Sequence, residues 1–303
     1  MNLSPSCYNG SIKYDSLLNC LRDFHVRYVS MDQTIIRWFK NRDLEYSVLS
    51  LNEARSQFKK SETVFVLGGS ESINTIKDSE WDFIARHDSI GMNWWPVHPF
   101  VPTYYSTNYP RQSEHREYFK QAIYRRRKDY RNTIFMLSGN RTVRRGMHPR
   151  VDPDFFPETP KCCFYSLPDP LPIKDKSEVS DETFKVTLYY RGGLSLVLDL
   201  VNKLDYKRIV LMGVDLYDSV HFYDSYPEMQ WQFEMGYSDS VQQKRTTPHG
   251  TMDTSGSKLP IDEYIYALYL MYFKKNGVEL FVGSKQSILT SKIPVFEFGG
   301  SSK

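Results

Sequence analysis

The sequence predicts an α/β protein with a mostly parallel sheet flanked by helices, and three observations carry that expectation. Apolar runs of strand length end at glycines or polar residues: Thr63 to Leu67 before Gly68-Gly69, Ser89 to Met92 before Asn93, and Arg208 to Met212 before Gly213. Helix-patterned segments at 194–204 and 261–275 alternate with such runs. The 303 residues, 40% hydrophobic and 25% charged, can bury a core of domain size. Strands alternating with helices give a Rossmann-like sheet, whose ligands bind at the carboxyl ends of the strands.

The elements follow in order. Residues 1–60 contain amphipathic pieces around Ser16 to Phe24 and Asp32 to Phe39, with no Gly-rich turn and no β-branched run, and read as a helical N-terminal extension. The α/β domain is expected over 61–298. Its first strand, Thr63 to Leu67, meets Gly68-Gly69-Ser70-Glu71-Ser72, a tight turn followed by helix-capping residue types. The second and third strands end at Asn93 and near Asn108. A basic helix is expected over 112–131. The stretch Val151 to Lys185, with eight acidic residues, four basic ones and six prolines, reads as an irregular loop or lid edge. Arg191-Gly192-Gly193 then opens a helix, and Arg208 to Met212 is a strand ending at Gly213-Val214-Asp215. Residues 216–256 are long, Tyr-rich and weakly periodic, the profile of a lid subdomain. A last helix, closed by Asn276-Gly277, leads to the strand Val278 to Val282, and 299–303 form a flexible tail.

Charge limits the partners. The net charge of +3 is too small for a polycation, so any basic function is local. From Arg111 to Arg150 there are 12 Lys and Arg against 3 Asp and Glu, with Arg125, Arg126, Arg127 and Lys128 in succession and Tyr118, Phe119, Tyr124 and Tyr130 interleaved. Such a run suits peripheral contact with an anionic membrane surface or an acidic acceptor. Its confinement to one helix argues against a nucleic-acid channel, although docking on RNA or anionic lipid by a non-catalytic protein is the rival expectation. The 22 Tyr, 18 Phe and 5 Trp offer apolar faces for bases and sugars, or simply fill a core. Cys7, Cys20, Cys162 and Cys163 form no C-x-x-C pair, and no secretory apolar segment begins the chain, which reads as a reduced, cytoplasmic protein.

Several residues can carry chemistry. The turn Gly68-Gly69-Ser70 lets backbone N–H groups approach a phosphate, though it is neither a dinucleotide fingerprint nor a Walker loop. Asp152-Pro153-Asp154 has the carboxylates of a divalent-cation motif but lacks a preceding apolar strand, and reads as a solvated loop. The seven histidines show no zinc spacing, so neither metal nor cofactor is expected. His249, in the turn Thr247-Pro248-His249-Gly250, can take a proton from a hydroxyl. Tyr217 and Tyr223, following Asp215, can donate phenolic hydrogen bonds to a departing phosphate.

In their order these segments resemble the bacterial CMP-sialic-acid-dependent sialyltransferases of glycosyltransferase family 42, over roughly Thr63 to Ile293. The family's Gly-Asn-Gly-Pro-Ser turn is matched by Gly68-Gly69-Ser70-Glu71-Ser72, its strand-end asparagines by Asn93 and Asn108, and its Gly-Ile-Asp-Phe-Tyr turn by Gly213 to Tyr217. The loop Ser284 to Leu289 matches its ending. The chain departs from the family where Gly69 replaces the turn Asn and Gly192-Gly193 replaces a Ser-Gly pair.

The resemblance implies metal-independent transfer of sialic acid or a related ulosonic acid from a CMP-sugar donor to a hydroxyl of a cell-surface glycan or glycolipid acceptor, as in lipopolysaccharide or capsule synthesis. It implies His249 as general base, Tyr217 and Tyr223 on the leaving phosphate, and donor contacts from Gly68, Gly69, Ser70, Asn93, Asn108, Arg191 and Gly193. A retaining CMP-Kdo transferase with Asp215 as nucleophile stays open beside it.

Overall fold

The computed structural model describes residues 47–107, 113–138, 155–157, 160–165, 170–175, 178–179, 181–184, 187–236, 238–255 and 258–299. The chain divides into Met1–Leu44 and Glu45–Lys303, and only the second unit contains described residues. The expected helical extension is thus mostly outside the described residues, as are Asn108, the Asp152-Pro153-Asp154 motif and the tail from 300 onward.

Among the described residues, eight strands form one sheet: β1 (Ser47–Leu49), β2 (Thr63–Leu67), β3 (Asp88–Met92), β4 (Tyr104–Ser106), β5 (Ile134–Ser138), β6 (Lys161–Tyr165), β7 (Arg208–Met212) and β8 (Glu279–Val282). Their spatial order is β1-β6-β5-β4-β3-β2-β7-β8, and every pairing is parallel. This is the α/β class the sequence predicts. Central parallel strands have both faces covered by helices, so they must be apolar throughout. In β2 all five residues are buried, and in β7 four of five.

Two strands contradict the sequence reading of their regions. β1 lies inside the stretch assigned to the N-terminal extension. Helix α1 (Leu51–Phe58) follows it, started by a capping box in which Ser50 Oγ accepts from the Glu53 N–H at 3.2 Å and the Glu53 carboxylate accepts from the Ser50 N–H at 2.8 Å. β6 lies inside the acidic, Pro-rich stretch read as an irregular loop. It pairs with β1 and β5 and buries Cys162 and Cys163.

From β2 the chain steps outward through β3, β4, β5 and β6, then returns to place β7 on the other side of β2. Connections on the two sides of β2 therefore diverge, which makes the carboxyl ends of β2 and β7 the topological switch point. Helices α2 (Asp78–Ala85), α3 (Ser113–Arg125), α4 (Gly192–Lys203) and α5 (Ile261–Leu268) complete the frame. The basic helix α3 ends at Arg125, short of the expected 131, because the chain turns at Arg126 to Lys128 and tightens into a 3₁₀ turn over Asp129–Asn132. The helix expected over 261–275 is α-helical only to Leu268. It widens into a π turn over Tyr269–Phe273, and Gly277 in the left-handed region closes the segment.

The segment 216–256 is more ordered than weak periodicity suggests. Short helices cover Phe222–Ser225, Pro227–Met229, Trp231–Glu234, Val241–Thr246 and Gly250–Met252. It is strapped onto the turn after β2: Phe222 N–H donates to the Gly69 carbonyl at 2.9 Å, Asn74 donates to the Phe222 carbonyl at 2.9 Å, and Arg245 pairs with both carboxylate oxygens of Glu71 at 2.9 and 2.7 Å. Trp231 stacks on Tyr118 of α3 with ring centroids 3.9 Å apart. Periodicity fails here because these turns are each shorter than the window in which it can be read.

Candidate functional site

The turn after β2 is held by close backbone contact with the turn after β7. The Gly68 N–H donates to the Met212 carbonyl at 2.8 Å and the Ser70 N–H to the Gly213 carbonyl at 3.0 Å. Gly213 has φ of +60°, and a β-carbon there would come within 2.5 Å of Ile73. Both glycines are required for the strand ends to meet, whatever the ligand.

Above this junction lies an open cleft of ≈ 720 Å³, solvent at its mouth included. It is lined from β2's end by Gly68, Gly69 and Ser70, from β3's end by Asn93 and Trp94, from the start of α4 by Arg191, Gly192 and Gly193, and from the 216–256 segment by His221, Tyr223, His249 and Thr251. Thus Gly68, Gly69, Ser70, Asn93, Arg191, Gly193, Tyr223 and His249, all predicted from sequence, meet at one place.

Each lining side chain is positioned by identifiable forces. Asn93 sits at φ of +50°, its N–H bound to the Ser106 carbonyl at 3.3 Å and its own carbonyl accepting from the Tyr105 hydroxyl. A β-carbon on Gly193 would be 3.6 Å from the Asn93 amide nitrogen, so the amide lies against the first turn of α4. Arg191 precedes that helix and braces the neighbouring turn, donating to the carbonyls of Asp253 at 2.8 Å and Gly250 at 2.9 Å.

His249 is half-buried, and its Nδ1 accepts from the Thr251 N–H at 3.3 Å with Thr251 Oγ1 at 2.7 Å. Burial, with His221 and Arg191 nearby, holds its pKa down at about 4. The ring is therefore neutral at pH 7. With Nδ1 accepting, its proton lies on Nε2. That tautomer is a hydrogen-bond donor, whereas the general-base role expected of His249 needs the opposite one.

Among the described residues, no Asp or Glu lines the cleft, while an Arg and two His do. The helix N-terminus, the Gly-rich turn and these side chains all favour an anion.

Two expected site residues lie outside the cleft lining. Asp215 does not line the cleft: it is 1% exposed, with its carboxylate accepting from Ser72 Oγ at 2.8 Å and the Ser72 N–H at 3.2 Å. Burial raises its pKa against the effect of those bonds. It ties the two turns together, its carboxylate bonded to Ser72 and its N–H to Ser70 Oγ at 3.1 Å. Tyr217 is 40% exposed and outside the lining, whereas Tyr223 is buried and lines the cleft. Its position six residues from Tyr223 does not bring it in, because the chain turns at Leu216 with φ of +68°.

The four-residue basic run is not one open surface either. Arg126 turns inward and donates to the carbonyls of His98, of Pro99 at 2.7 Å and of Pro96 at 3.4 Å, while Arg127 lies over the Tyr124 ring at 4.3 Å. Only Arg125 and Lys128 are exposed. Among the described residues, no helix is long and apolar enough to cross a membrane.

Sequence reasoning missed His221, Trp94 and Thr251. His221 had a signal within reach, an Asp three residues later that could orient the ring.

No family model matches this chain, and no curated protein matches it. Among solved structures, the monofunctional alpha-2,3-sialyltransferase Cst-I from Campylobacter jejuni is similar over 84% of this chain and 84% of that one, at 14% sequence identity and a TM-score of 0.44.

Proposed function

We propose that the protein is a glycosyltransferase that transfers sialic acid or a related ulosonic acid from a CMP-activated donor to a hydroxyl of a glycan acceptor. The observation that carries this reading is the cleft at the switch point, rich in hydrogen-bond donors and, among the described residues, without a lining carboxylate. Such a lining suits a donor that is anionic at both its phosphate and its sugar carboxylate. The order of motifs described above supplies the nucleotide and sugar class.

The roles divide by chemistry. The Gly68-Gly69-Ser70 turn and the start of α4 offer backbone N–H groups to the donor. Asn93 hydrogen-bonds nucleotide or sugar. Arg191 faces the donor's carboxylate or phosphate. The Nε2–H of His249 and the hydroxyl of Tyr223 donate to the departing CMP phosphate. Burial raises the Tyr223 pKa, so it stays a protonated donor. In the transfer the bond between sugar and phosphate breaks with its electron pair leaving on CMP, a new bond forms from the acceptor oxygen, and the hydroxyl proton passes to a base. The identity of the ulosonic acid, the acceptor, the linkage and any membrane contact belong to the same proposal.

The test is incubation with a panel of CMP-sugars and measurement of CMP release, with thermal denaturation in the presence of CMP. Release from a CMP-activated ulosonic acid is expected, together with a CMP-dependent rise in Tm. Neither turnover nor a Tm shift across the panel would overturn the reading.

A further inference from the structure

The cleft contains a second histidine whose surroundings are opposite to those of His249. His221 lies where the 216–256 segment crosses the turn after β2, bridged to Ser70 and with its Cδ2 3.2 Å from the position of a β-carbon on Gly69. Its side chain is 31% exposed, yet Nδ1 is buried without a hydrogen-bond partner and faces Asp224 Oδ2 at 3.8 Å. The exposed edge is therefore the one opposite Nδ1. Tyr223 stacks on the ring with centroids 4.9 Å apart and restrains its rotation.

Asp224 is itself held from three sides. The His221 N–H donates to Oδ2 at 2.8 Å, and the Lys244 ammonium donates to Oδ1 at 2.8 Å and Oδ2 at 2.9 Å. Both members of the Asp224–Lys244 pair are buried, with side chains 2% and 8% exposed. Burying two charges is costly. The bidentate ammonium keeps the carboxylate ionised beneath the imidazole. An ionised carboxylate facing Nδ1 favours the tautomer with the proton on Nδ1, which leaves the Nε2 lone pair free.

From this geometry we infer that His221 is the proton acceptor of the cleft, with Asp224 and Lys244 as its positioning residues, and that His249 is its complementary donor. This deepens the transfer reading and rests on it for the source of the proton. When the acceptor oxygen bonds to the anomeric carbon and the sugar–phosphate bond breaks toward CMP, the hydroxyl proton moves to His221 Nε2. The imidazolium is then stabilised by the Asp224 carboxylate 3.8 Å from Nδ1, and Nε2 later loses its proton to solvent. The charged and titratable groups around His221 are Asp224 on its own turn, Lys244 from the helix Val241–Thr246, and His249 and Arg191 across the cleft.

The proposal is tested first without turnover. Long-range proton–nitrogen correlation spectra of the full chain, labelled with ¹⁵N-histidine at pH 7.5, are expected to show His221 protonated on Nδ1 and His249 on Nε2. A proton on Nε2 of His221 would overturn the proposal. The paired variant Asp224→Asn/Lys244→Met, which strands no buried charge, is expected to lose the Nδ1 preference while still binding CMP; an unchanged tautomer would remove Asp224 as the positioning residue. Second, with the best CMP-sugar, His221→Gln is expected to lower kcat about 100-fold or more with CMP affinity within about threefold of wild type. An unchanged kcat would overturn the acceptor role. If the wild type releases CMP from no donor, the transfer reading fails, and the tautomer spectra still decide the arrangement of His221.

Discussion

A β-carbon on Gly68 would lie 2.4 Å from the carbonyl oxygen of Gly213, so two strand ends that are 145 residues apart touch through bare backbone. The contact leaves no room to give, because the clashing atom is main chain on a central strand. Gly68→Ala, and Gly213→Ala with its positive φ, are each expected to cost about 1–3 kcal/mol. Urea denaturation measures the loss, and calorimetry should show CMP affinity falling with it. Gly69, where the nearest atom is a side-chain carbon of His221 at 3.2 Å, is expected to tolerate Ala better.

The buried Asp224–Lys244 pair gives a second expectation. Removing one partner strands a buried charge, so Lys244→Met alone should destabilise by about 3–5 kcal/mol, and Asp224→Asn/Lys244→Met together by much less. Burial pushes the Asp224 pKa up, but hydrogen bonds from His221 and Lys244 outweigh it and hold the group below the usual carboxylate range. A carboxyl so depressed contributes stability above its unfolded pKa of roughly 3.9 that is lost as pH falls through the lower, folded value. Equilibrium unfolding of wild type and the paired variant between pH 5 and pH 2 should show the wild type losing its advantage in that range.

His249 carries a pH dependence of a different kind. Its unfolded imidazole titrates near 6.5 and its folded one at about 4, so between those values the unfolded chain binds the extra proton. Stability therefore rises with pH across that window and is lost as pH falls from 6.5 toward 4. His98, held at about 4 by burial and by Arg126, acts in the same direction. His249→Gln is expected to flatten the slope of unfolding free energy against pH between 4.5 and 6.5, and adding His98→Gln to flatten it further. An unaltered slope would show that neither ring is buried neutral.

Arg126 separates structural from surface charge within one run. Its guanidinium satisfies carbonyls of the Pro96–Pro99 turn, so Arg126→Gln is expected to cost about 1–3 kcal/mol in denaturant. Arg125→Gln and Lys128→Gln, both exposed, should change stability by less than about 0.5 kcal/mol. If this face meets an anionic surface, those two substitutions should reduce sedimentation with anionic vesicles.

Arg191 braces the turn that carries His249 through the carbonyls of Gly250 and Asp253. Arg191→Lys keeps a charge but loses the planar fork that reaches the carbonyls of Gly250 and Asp253 together. Weaker CMP binding is expected in calorimetry, with a smaller change in Tm than Gly68→Ala produces.

The sequence by itself determined the centre of the molecule. β2 and β7 are legible because a strand buried on both faces is a near-continuous apolar run, and their ends are legible because a turn against another backbone needs Gly68 and Gly213. The residues that follow those ends come together in one cleft. Only the tertiary structure decided the outer strands: β1 is three residues long and β6 sits in acidic, Pro-rich sequence, so each is a strand because of its partner rather than its own pattern. Only the tertiary structure, too, set Asp215 and Tyr217 outside the cleft lining, turned Arg126 inward, and brought Asp224 and Lys244 beneath His221. Side-chain direction within irregular turns depends on φ at single residues and on contacts between distant segments, and neither is written in local composition.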